Sequence, residues 1–372
     1  MVGIWKKFLH EITGHALFSI SLTAAVVTSF FNIPRWGYID VKVLVCLFEL
    51  MLIVKALEEY GLLGHVAVKI VNCCKNERRL TAALCVITFL LSMFTTNDVA
   101  VLTIVPILVA ISRTCGLSVT FPCVLTTIAA NLGSSATPIG NPQNLYIFSF
   151  YKMSPVSFFR ESVPLCLVSL LLLMASTLFI RPKKIRAELS IAPVTEKKRV
   201  AAFLLLSVPV IVGIFGLIPY AITFVFVLLA AIIINRSMLR KLDYRLLLTF
   251  LLLFVAVGNI SHIPVLKEQI AALETTPLKT YVSALFLSQI ISNVPSTVML
   301  APFTVYAYAL FYGANIGGLG TPIASLASVI AFSLFYQVFP HKKLQFIGTF
   351  LLCNVIMLFV LSVVFASVLV QV

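Results

Sequence analysis

Two polar, helix-breaking segments hold the residues best suited to bind ions or small solutes. Residues 131–144 read NLGSSATPIGNPQN and are embedded in apolar sequence. Residues 315–328 read NIGGLGTPIASLAS, so a core of Ala-Asn-(Leu/Ile)-Gly-x-x-x-Thr-Pro-Ile occurs twice. Glycine and proline interrupt helices. An interrupted helix exposes N–H groups where one limb starts and carbonyls where the other ends, and these groups suit an anion and Na⁺ respectively.

A second polar break precedes each copy of this core. The first break is Thr95-Thr96-Asn97-Asp98 and the second is Ser292-Asn293-Val294-Pro295. The chain is therefore a duplicated unit with two breaks in each half. We expect the four breaks to meet in one substrate- or ion-binding site whose residues are Thr96, Asn97, Asp98, Asn131, Gly133, Ser134, Thr137, Asn141, Ser292, Asn293, Asn315, Gly317 and Thr321. Sodium sites are expected at Asn97, Asp98, Asn131 and Gly133, and at Asn293 and Asn315.

The two halves differ in their acidic residues. Asp98 is the acidic residue of the first break, where the second half has Val294, and no Lys or Arg stands in any of the four breaks. Asp98 is therefore expected to hold a cation or to take up a proton; the alternative is that it caps the following helix. Glu49, in the second apolar run, is either a second functional carboxyl or a packing residue.

Composition identifies a polytopic membrane protein. The 372 residues are 60% hydrophobic and 11% charged, and the mean hydropathy is +1.08. Apolar runs of about 20 residues, the length that crosses a bilayer, recur along the chain, whereas a β-barrel would show short alternating segments. The formal charge of +14 resides in short loops, as the positive-inside bias predicts, so it does not indicate nucleic-acid binding.

The apolar pattern predicts two halves, residues 1–190 and 191–372, with corresponding elements. The first half is expected to contain scaffold helices within 15–60, a re-entrant hairpin at 80–111, a broken helix at 117–151 and a helix at 162–180. The second is expected to contain scaffold helices within 200–263, a hairpin at 280–311, a broken helix at 313–340 and a helix at 345–370. Residues 61–79 are expected to form an amphipathic helix at the membrane surface, and 152–161 are an amphipathic stretch that leads to the helix at 162–180. The predicted fold is all-α, with about nine spans.

Counting basic residues in the loops predicts the orientation. With the N-terminus inside, most Lys and Arg residues fall in cytoplasmic loops, and the C-terminus lies outside. The first hairpin then enters from inside and the second from outside. The halves are thus an inverted repeat, the arrangement of many secondary transporters. We expect the protein in the cytoplasmic (inner) membrane of a prokaryote.

The break motifs resemble those of the ion-transporter superfamily that includes arsenite permeases, divalent-anion:sodium symporters and certain sodium/proton antiporters. T-N-D-V-A-x-L-T-x-V-P with N-x-G-S-S-x-T-P-I-G-N-P-Q-N-L is most similar to its YbiR-type inner-membrane branch. The resemblance implies an elevator mechanism and a homodimer formed through the scaffold helices. Divalent-anion symporters carry Ser-Asn-Thr at both hairpin tips. Here the third residue is Asp98 in the first tip and Val294 in the second, which differs from the motif of a dicarboxylate site. Arsenite-type efflux therefore remains an alternative function.

The leading functional hypothesis is secondary active transport of a small anion coupled to Na⁺ or H⁺, with no other cofactor. The alternatives are a sodium/proton antiporter that exchanges through Asp98, and an arsenite-type efflux permease. A membrane-embedded enzyme is a remote alternative, because the five histidines are scattered and no H-E-x-x-H or D-D-x-x-D motif occurs.

Overall fold

The fold is a bundle of helices, as the sequence predicts. The computed structural model describes residues 17–185, 189–190 and 193–370, so the predicted start of the first span at residue 15 lies outside the described residues. Within them the chain forms helices, turns and one isolated bridge between Asn76 and Lys184, without a β-strand. The helices are α1 (Leu17–Ser29), α2 (Val41–Glu59), α3 (Leu62–Val71), α4 (Glu77–Thr95), α5 (Asn97–Cys115), α6 (Thr120–Ser134), α7 (Pro142–Phe150), α8 (Pro155–Thr177), α9 (Lys197–Ile214), α10 (Tyr220–Asn235), α11 (Tyr244–Ile260), α12 (Pro264–Leu273), α13 (Pro277–Ile291), α14 (Asn293–Leu300), α15 (Ala307–Gly317), α16 (Leu326–Val338) and α17 (Lys343–Val370).

Several helices are long and apolar enough to cross a membrane. Among the described residues these are α4, α8, α10 with its 3₁₀ extension to Lys241, and α17 with the 3₁₀ turn before it. Helices α11 and α12 together also qualify, although they meet at an angle of 100°. Of these, α4 is predicted as an arm of the first re-entrant hairpin, and its 19 residues make it longer than such an arm needs to be. The remaining predicted spans consist of shorter helices, including the limbs of the two broken helices, or carry more charge, as in α2 and α9. The chain is thus an all-α polytopic membrane protein.

Each half contains a helical hairpin with the same tip. Thr96 joins α4 to α5 with φ 82° and ψ 150°, and Ser292 joins α13 to α14 with φ 75° and ψ 154°. Helix α14 folds back on α13, since the Ser296 hydroxyl donates to the Ala284 carbonyl at 3.2 Å. A residue with a side chain in this backbone region costs about 1–3 kcal/mol, a strain that tends to persist at functional sites. The tips therefore repeat in conformation as well as in sequence.

Two broken helices form the centre of the molecule. Helices α6 and α7 are separated by residues 135–141, and α15 and α16 by residues 318–325. All of α6 from Pro122 to Ser134 is buried, and so is α15 from Ala309 to Gly317. In contrast, α10 and α17 expose large apolar side chains such as Ile233. The polar breaks are thus enclosed by protein, the condition under which irregular backbone is tolerated at membrane depth.

The repeat extends to packing contacts. A Cβ on Gly133 of α6 would lie 2.5 Å from the Ser92 hydroxyl of α4, and one on Gly317 of α15 would lie 3.0 Å from the Ser288 hydroxyl of α13. These pairs occupy equivalent positions in the two halves. Because glycine has no side chain, the backbone of each broken helix can approach a serine on the first arm of its own hairpin.

Three of the differences from the predicted element boundaries have a visible local cause. The surface helix predicted over 61–79 is only α3, because Asn76 caps a new helix by accepting from the Arg79 N–H at 2.8 Å. The stretch 152–161 is not a separate element, since Ser154 caps α8 directly. The return arm of the second hairpin ends at Leu300, well before the predicted residue 311. A 3₁₀ turn containing Pro302 follows it, and proline cannot continue the hydrogen-bond ladder.

Candidate functional site

The four polar breaks meet at the centre of the protein. Helix α5 packs on α16, and α14 packs on α7, so the return arm of each hairpin lies against the second limb of the other half's broken helix. Side-chain hydrogen bonds also cross between the halves, for example between Asn97 and Ser325 at 3.4 Å. The breaks, which are far apart in the chain, therefore form one buried polar centre.

Asn131 is the hub of the hydrogen-bond network beside the first hairpin tip. Its Oδ1 accepts from Asn97 Nδ2 at 3.0 Å and from the Ser325 hydroxyl at 2.7 Å. Its Nδ2 lies 3.3 Å from the Ser328 hydroxyl and 3.5 Å from the Gly318 carbonyl. One carboxamide thus connects the first hairpin with the second broken helix, and its polar atoms are satisfied although the residue is buried.

Asn315 is the corresponding hub in the second half. Its Nδ2 donates to Asn144 Oδ1 at 2.7 Å and to the Phe311 carbonyl at 2.8 Å. Its Oδ1 accepts from Asn141 Nδ2 at 3.1 Å. Asn141 also donates to the Ser134 hydroxyl at 2.9 Å. This hub is surrounded by amides, whereas the partners of the first hub include two serine hydroxyls.

The partners of the two hubs occupy equivalent positions. In the repeat, Asn141 and Asn144 correspond to Ser325 and Ser328. Each hub asparagine contacts the pair contributed by the other half's broken helix. The two halves therefore form equivalent contacts with different side chains, serines around one hub and asparagines around the other. The result is two related polar sites that differ in chemistry.

The threonines of the two breaks bind backbone near the hairpin tips. The Thr137 hydroxyl donates to the Met93 carbonyl at 2.5 Å, and the Thr321 hydroxyl donates to the Gln289 carbonyl at 3.2 Å. Met93 and Gln289 occupy equivalent positions, three residues before Thr96 and Ser292. These bonds attach each break to its own hairpin.

The two hairpin tips differ in how their asparagines are used. Asn97 and Asn293 are 6% and 4% exposed. The Asn97 amide is bound within the network, whereas the described residues offer the Asn293 amide nitrogen no acceptor. Asn293 accepts a long hydrogen bond of 3.4 Å from the Ser292 hydroxyl. The second tip therefore retains a donor that a ligand could use.

Asp98 occupies the first turn of α5, half-buried beside Asn97. Its backbone N–H donates to Asn97 Oδ1 at 3.0 Å. A carboxylate in the first turn interacts favourably with the positive end of the helix dipole. Asp98 thus begins α5 directly after Asn97, the residue that binds the first hub.

The structure brings together most of the residues that the sequence singles out. Within the set, Thr137 and Thr321 differ from the asparagines, because their hydroxyls bind the backbone of their own hairpins and not the two hubs. Four participants were missed: Asn144, Gln289, Ser325 and Ser328. Aligning the two breaks could have identified Ser325 and Ser328 as partners, and Gln289 was visible as an amide in an otherwise apolar hairpin arm.

Glu49 lies apart from this network. It is fully buried in α2, which packs on α9 and α10, and it faces the Thr223 hydroxyl. The described residues provide its carboxylate oxygens with no hydrogen bond. Across those same residues, no three His, Cys, Asp or Glu side chains cluster as a metal site would require. The polar centre offers amides, hydroxyls and carbonyls, which suit a hard cation or an anion.

A membrane-embedded helical fold with two hairpins, two broken helices and a shared polar centre defines a polytopic membrane transporter. The chain belongs to the citrate transporter (CitMHS) family, whose model matches residues 4–308. It is 32% identical over 307 residues to the uncharacterized transporter MJ0456 of Methanocaldococcus jannaschii, with 82% of each chain covered. It is 29% identical over 338 residues to the inner membrane protein YbiR of Escherichia coli, with 87% of this chain and 89% of YbiR covered.

A solved structure supports the fold. The crystal structure of the Alcanivorax borkumensis YdaH transporter, described as having an unusual topology, aligns with a TM-score of 0.59. The alignment covers 96% of this chain and 97% of YdaH at 14% sequence identity. The predicted kinship with the ion-transporter superfamily is confirmed, and the protein is a transporter and not an enzyme.

Proposed function

We propose that the protein is a secondary active transporter that moves a small anion across the cytoplasmic membrane, coupled to Na⁺ or H⁺. The observation that carries this proposal is the buried network in which Asn131 and Asn315 each bind side chains from the opposite half. A polar site built by broken helices of both repeats is the arrangement in which inverted-repeat secondary transporters bind substrate and coupling ion.

An anion would bind through neutral donors. The breaks contain no Lys or Arg, so the positive groups are the N–H ends of helices that start at the breaks. Helix α14 begins at Asn293, whose amide nitrogen is available to a ligand. Neutral N–H donors bind an anion less tightly than Lys or Arg would, so the anion can be released, as transport requires.

The coupling cation would bind beside the first hub. The Asn131 amide oxygen and the Gly318 carbonyl lie in this region, and Asp98 follows Asn97, which binds Asn131, in the chain. Oxygen ligands of this kind suit Na⁺, and a carboxylate alone suits H⁺. A bound cation would also offset the charge of the anion in the low-dielectric centre.

The transport step would be an elevator movement. In this proposal the two hairpins and the two broken helices move as one body against a scaffold that includes α2, α9, α10 and α11. The scaffold would form a homodimer, and the N-terminus would face the cytoplasm. The dense packing of α6 on α4 and of α15 on α13 supports a transport body that moves as a unit.

The experiment is a reconstitution with defined gradients. Purified protein in proteoliposomes is supplied with radiolabelled citrate, which the family description suggests, and in parallel with arsenite. Uptake is compared under an inward Na⁺ gradient, an inward H⁺ gradient and no gradient. Gradient-dependent uptake of either solute that is saturable would support the proposal. Uptake equal to that of protein-free liposomes for a wide panel of anions would contradict it.

The second candidate, sodium/proton antiport, is favoured by Asp98, the acidic residue at the hairpin tips. An antiporter exchanges ions without an anion. Liposomes containing a pH-sensitive dye distinguish the two: Na⁺-driven proton movement in the absence of any candidate anion would replace the leading proposal with this one.

A further inference from the structure

Gln289 binds three backbone groups of the second helix break. It lies in α13, three residues before the hairpin tip at Ser292. Its Nε2 donates to the carbonyls of Gly317 at 2.7 Å and Leu319 at 3.0 Å. Its Oε1 accepts from the Thr321 N–H at 2.9 Å. One side chain thus satisfies backbone groups that the interruption of the helix leaves without partners.

The carbonyl between the two bound ones points elsewhere. Gly318 O lies 3.5 Å from Nδ2 of Asn131, the hub of the first half. Because Gln289 holds the carbonyls of Gly317 and Leu319 on its own side, the peptide of Gly318 is left to face the polar centre. Gln289 therefore sets the orientation of a carbonyl that lies in the region proposed for the coupling cation.

The local backbone is adapted to this contact. Gly320 has φ +98°, a conformation that favours glycine. A Cβ at this position would lie 2.3 Å from Oε1 of Gln289. The glycine is thus required both by its conformation and by the close approach of the Gln289 side chain.

The first half closes its break in another way. The residue equivalent to Gln289 is Met93, whose thioether cannot donate a hydrogen bond. Instead, Asn144 Nδ2 donates to the carbonyls of Ser134 and Thr137, both at 3.3 Å. In the first half the break carbonyls are thus bound by its own second limb, α7, and the hairpin contributes the Met93 carbonyl to the Thr137 hydroxyl. In the second half the hairpin itself binds the break carbonyls, through Gln289.

We infer that Gln289 is a positioning residue of the transport site: it fixes the second break to the second hairpin and directs the Gly318 carbonyl toward the cation. The ion-binding part of this inference rests on the proposed function, whereas the attachment of the break to the hairpin does not.

Hydrogen–deuterium exchange on the detergent-purified protein tests the attachment without any substrate. The variant Gln289→Met introduces the residue of the first half, and Met93→Leu is the matched control at the equivalent position. Exchange in peptides covering 317–324 should rise about tenfold in Gln289→Met, the effect of losing one net hydrogen bond. Gln289→Glu keeps an acceptor for the Thr321 N–H but places an oxygen opposite the Gly317 and Leu319 carbonyls, so exchange should rise as in Gln289→Met. Wild-type exchange in Gln289→Met would overturn the inference.

The Na⁺ dependence of the melting temperature tests the consequence for ion binding. NaCl is titrated against choline chloride at constant ionic strength, and the Na⁺ concentration that gives half of the rise in melting temperature should be about tenfold higher in Gln289→Met. An unchanged midpoint in a variant with raised exchange would overturn the positioning role. A wild-type protein that does not respond to Na⁺ would instead contradict the proposed sodium coupling, and the exchange result would still decide whether Gln289 holds the break.

Discussion

At the scale of single residues, the polar centre depends on carboxamides because each offers a donor and an acceptor on one short side chain. Asn131 and Asn315 use both, and each connects segments from the two halves. A serine in place of either hub is shorter and has one polar atom, so it could not make the contacts that the separate oxygen and nitrogen of the amide make. The hubs therefore hold the breaks together while leaving weakly bound groups, such as the Gly318 carbonyl at 3.5 Å, for exchange with an ion.

Replacing the tip asparagines should abolish transport without unfolding the protein. Asn97→Ala removes the 3.0 Å bond to Asn131, at a cost of about 1–3 kcal/mol for the unsatisfied partner. Asn293→Ala removes a donor that no described residue uses, so its stability should stay close to that of the wild type. Uptake in proteoliposomes and melting temperature measure the two effects. Wild-type uptake in both variants would exclude the proposed site.

The Asp98→Asn variant should lose the cation or pH dependence of transport. The substitution keeps the size of the side chain and removes its charge, so the network geometry around Asn97 is retained. Uptake is measured at a series of Na⁺ concentrations and at a series of pH values. If the dependence on both stays as in the wild type, Asp98 acts as a stabilising residue at the start of α5 and not as an ion ligand.

Residue types at the site could be predicted from the sequence, but their pairing could not. The repeat identifies Asn131 and Asn315 as equivalent, because both stand in the same motif. It does not show that each would bind partners from the other half's broken helix. That exchange depends on how α5 packs on α16 and α7 on α14, which is a property of tertiary packing.

At the scale of elements, the hairpins and broken helices are held together by close backbone approach. A Cβ on Gly133 would lie 2.4 Å from the Phe89 carbonyl, whereas the nearest atoms to a Cβ on Gly317 are 3.0 Å away. The first broken helix is thus packed more tightly on its hairpin than the second. The motif predicts glycine at both positions but not this difference, because it arises from the exact separation of the helices.

Glycine-to-alanine substitutions should reveal this difference. Gly133→Ala should lower the stability by about 1–3 kcal/mol through overpacking, and Gly317→Ala should cost less. Gly348→Ala is the control, since its Cβ would meet no atom within 4 Å, and alanine favours a helix by about 1 kcal/mol. Melting temperatures of the three variants in detergent give the order of their stabilities. A variant at Gly133 as stable as the one at Gly348 would contradict the packing.

The second hairpin shows what limits prediction at this scale. Apolar pattern alone extends its return arm to residue 311, whereas α14 ends at Leu300 and α15 starts at Ala307. In the first half, Pro106 lies inside α5 without ending it. The same residue type at the equivalent position, Pro302, ends an arm in one half and is tolerated in the other, so its effect is set by the surrounding packing and not by the pattern.

At the scale of the whole molecule, two side-chain hydrogen bonds differ in whether they cross between the two bodies of the elevator proposal. The Ser149 hydroxyl of α7 donates to Asp40, the residue that caps α2, at 3.1 Å. The Thr280 and Thr304 hydroxyls, both in the second hairpin region, lie 2.8 Å apart. In the elevator proposal the first bond crosses from the moving body to the scaffold, and the second lies inside the moving body.

Cross-linking distinguishes these two positions. In a background without the native cysteines, Asp40→Cys with Ser149→Cys joins α2 to α7, and Thr280→Cys with Thr304→Cys joins residues of one body. A short bifunctional thiol reagent should stop uptake in the first pair and leave most of it in the second, because only the first link prevents relative movement. Reagent-treated single-cysteine variants control for modification itself. Full uptake through a cross-linked 40–149 pair would mean that α2 and α7 stay together during transport, which the elevator movement does not permit.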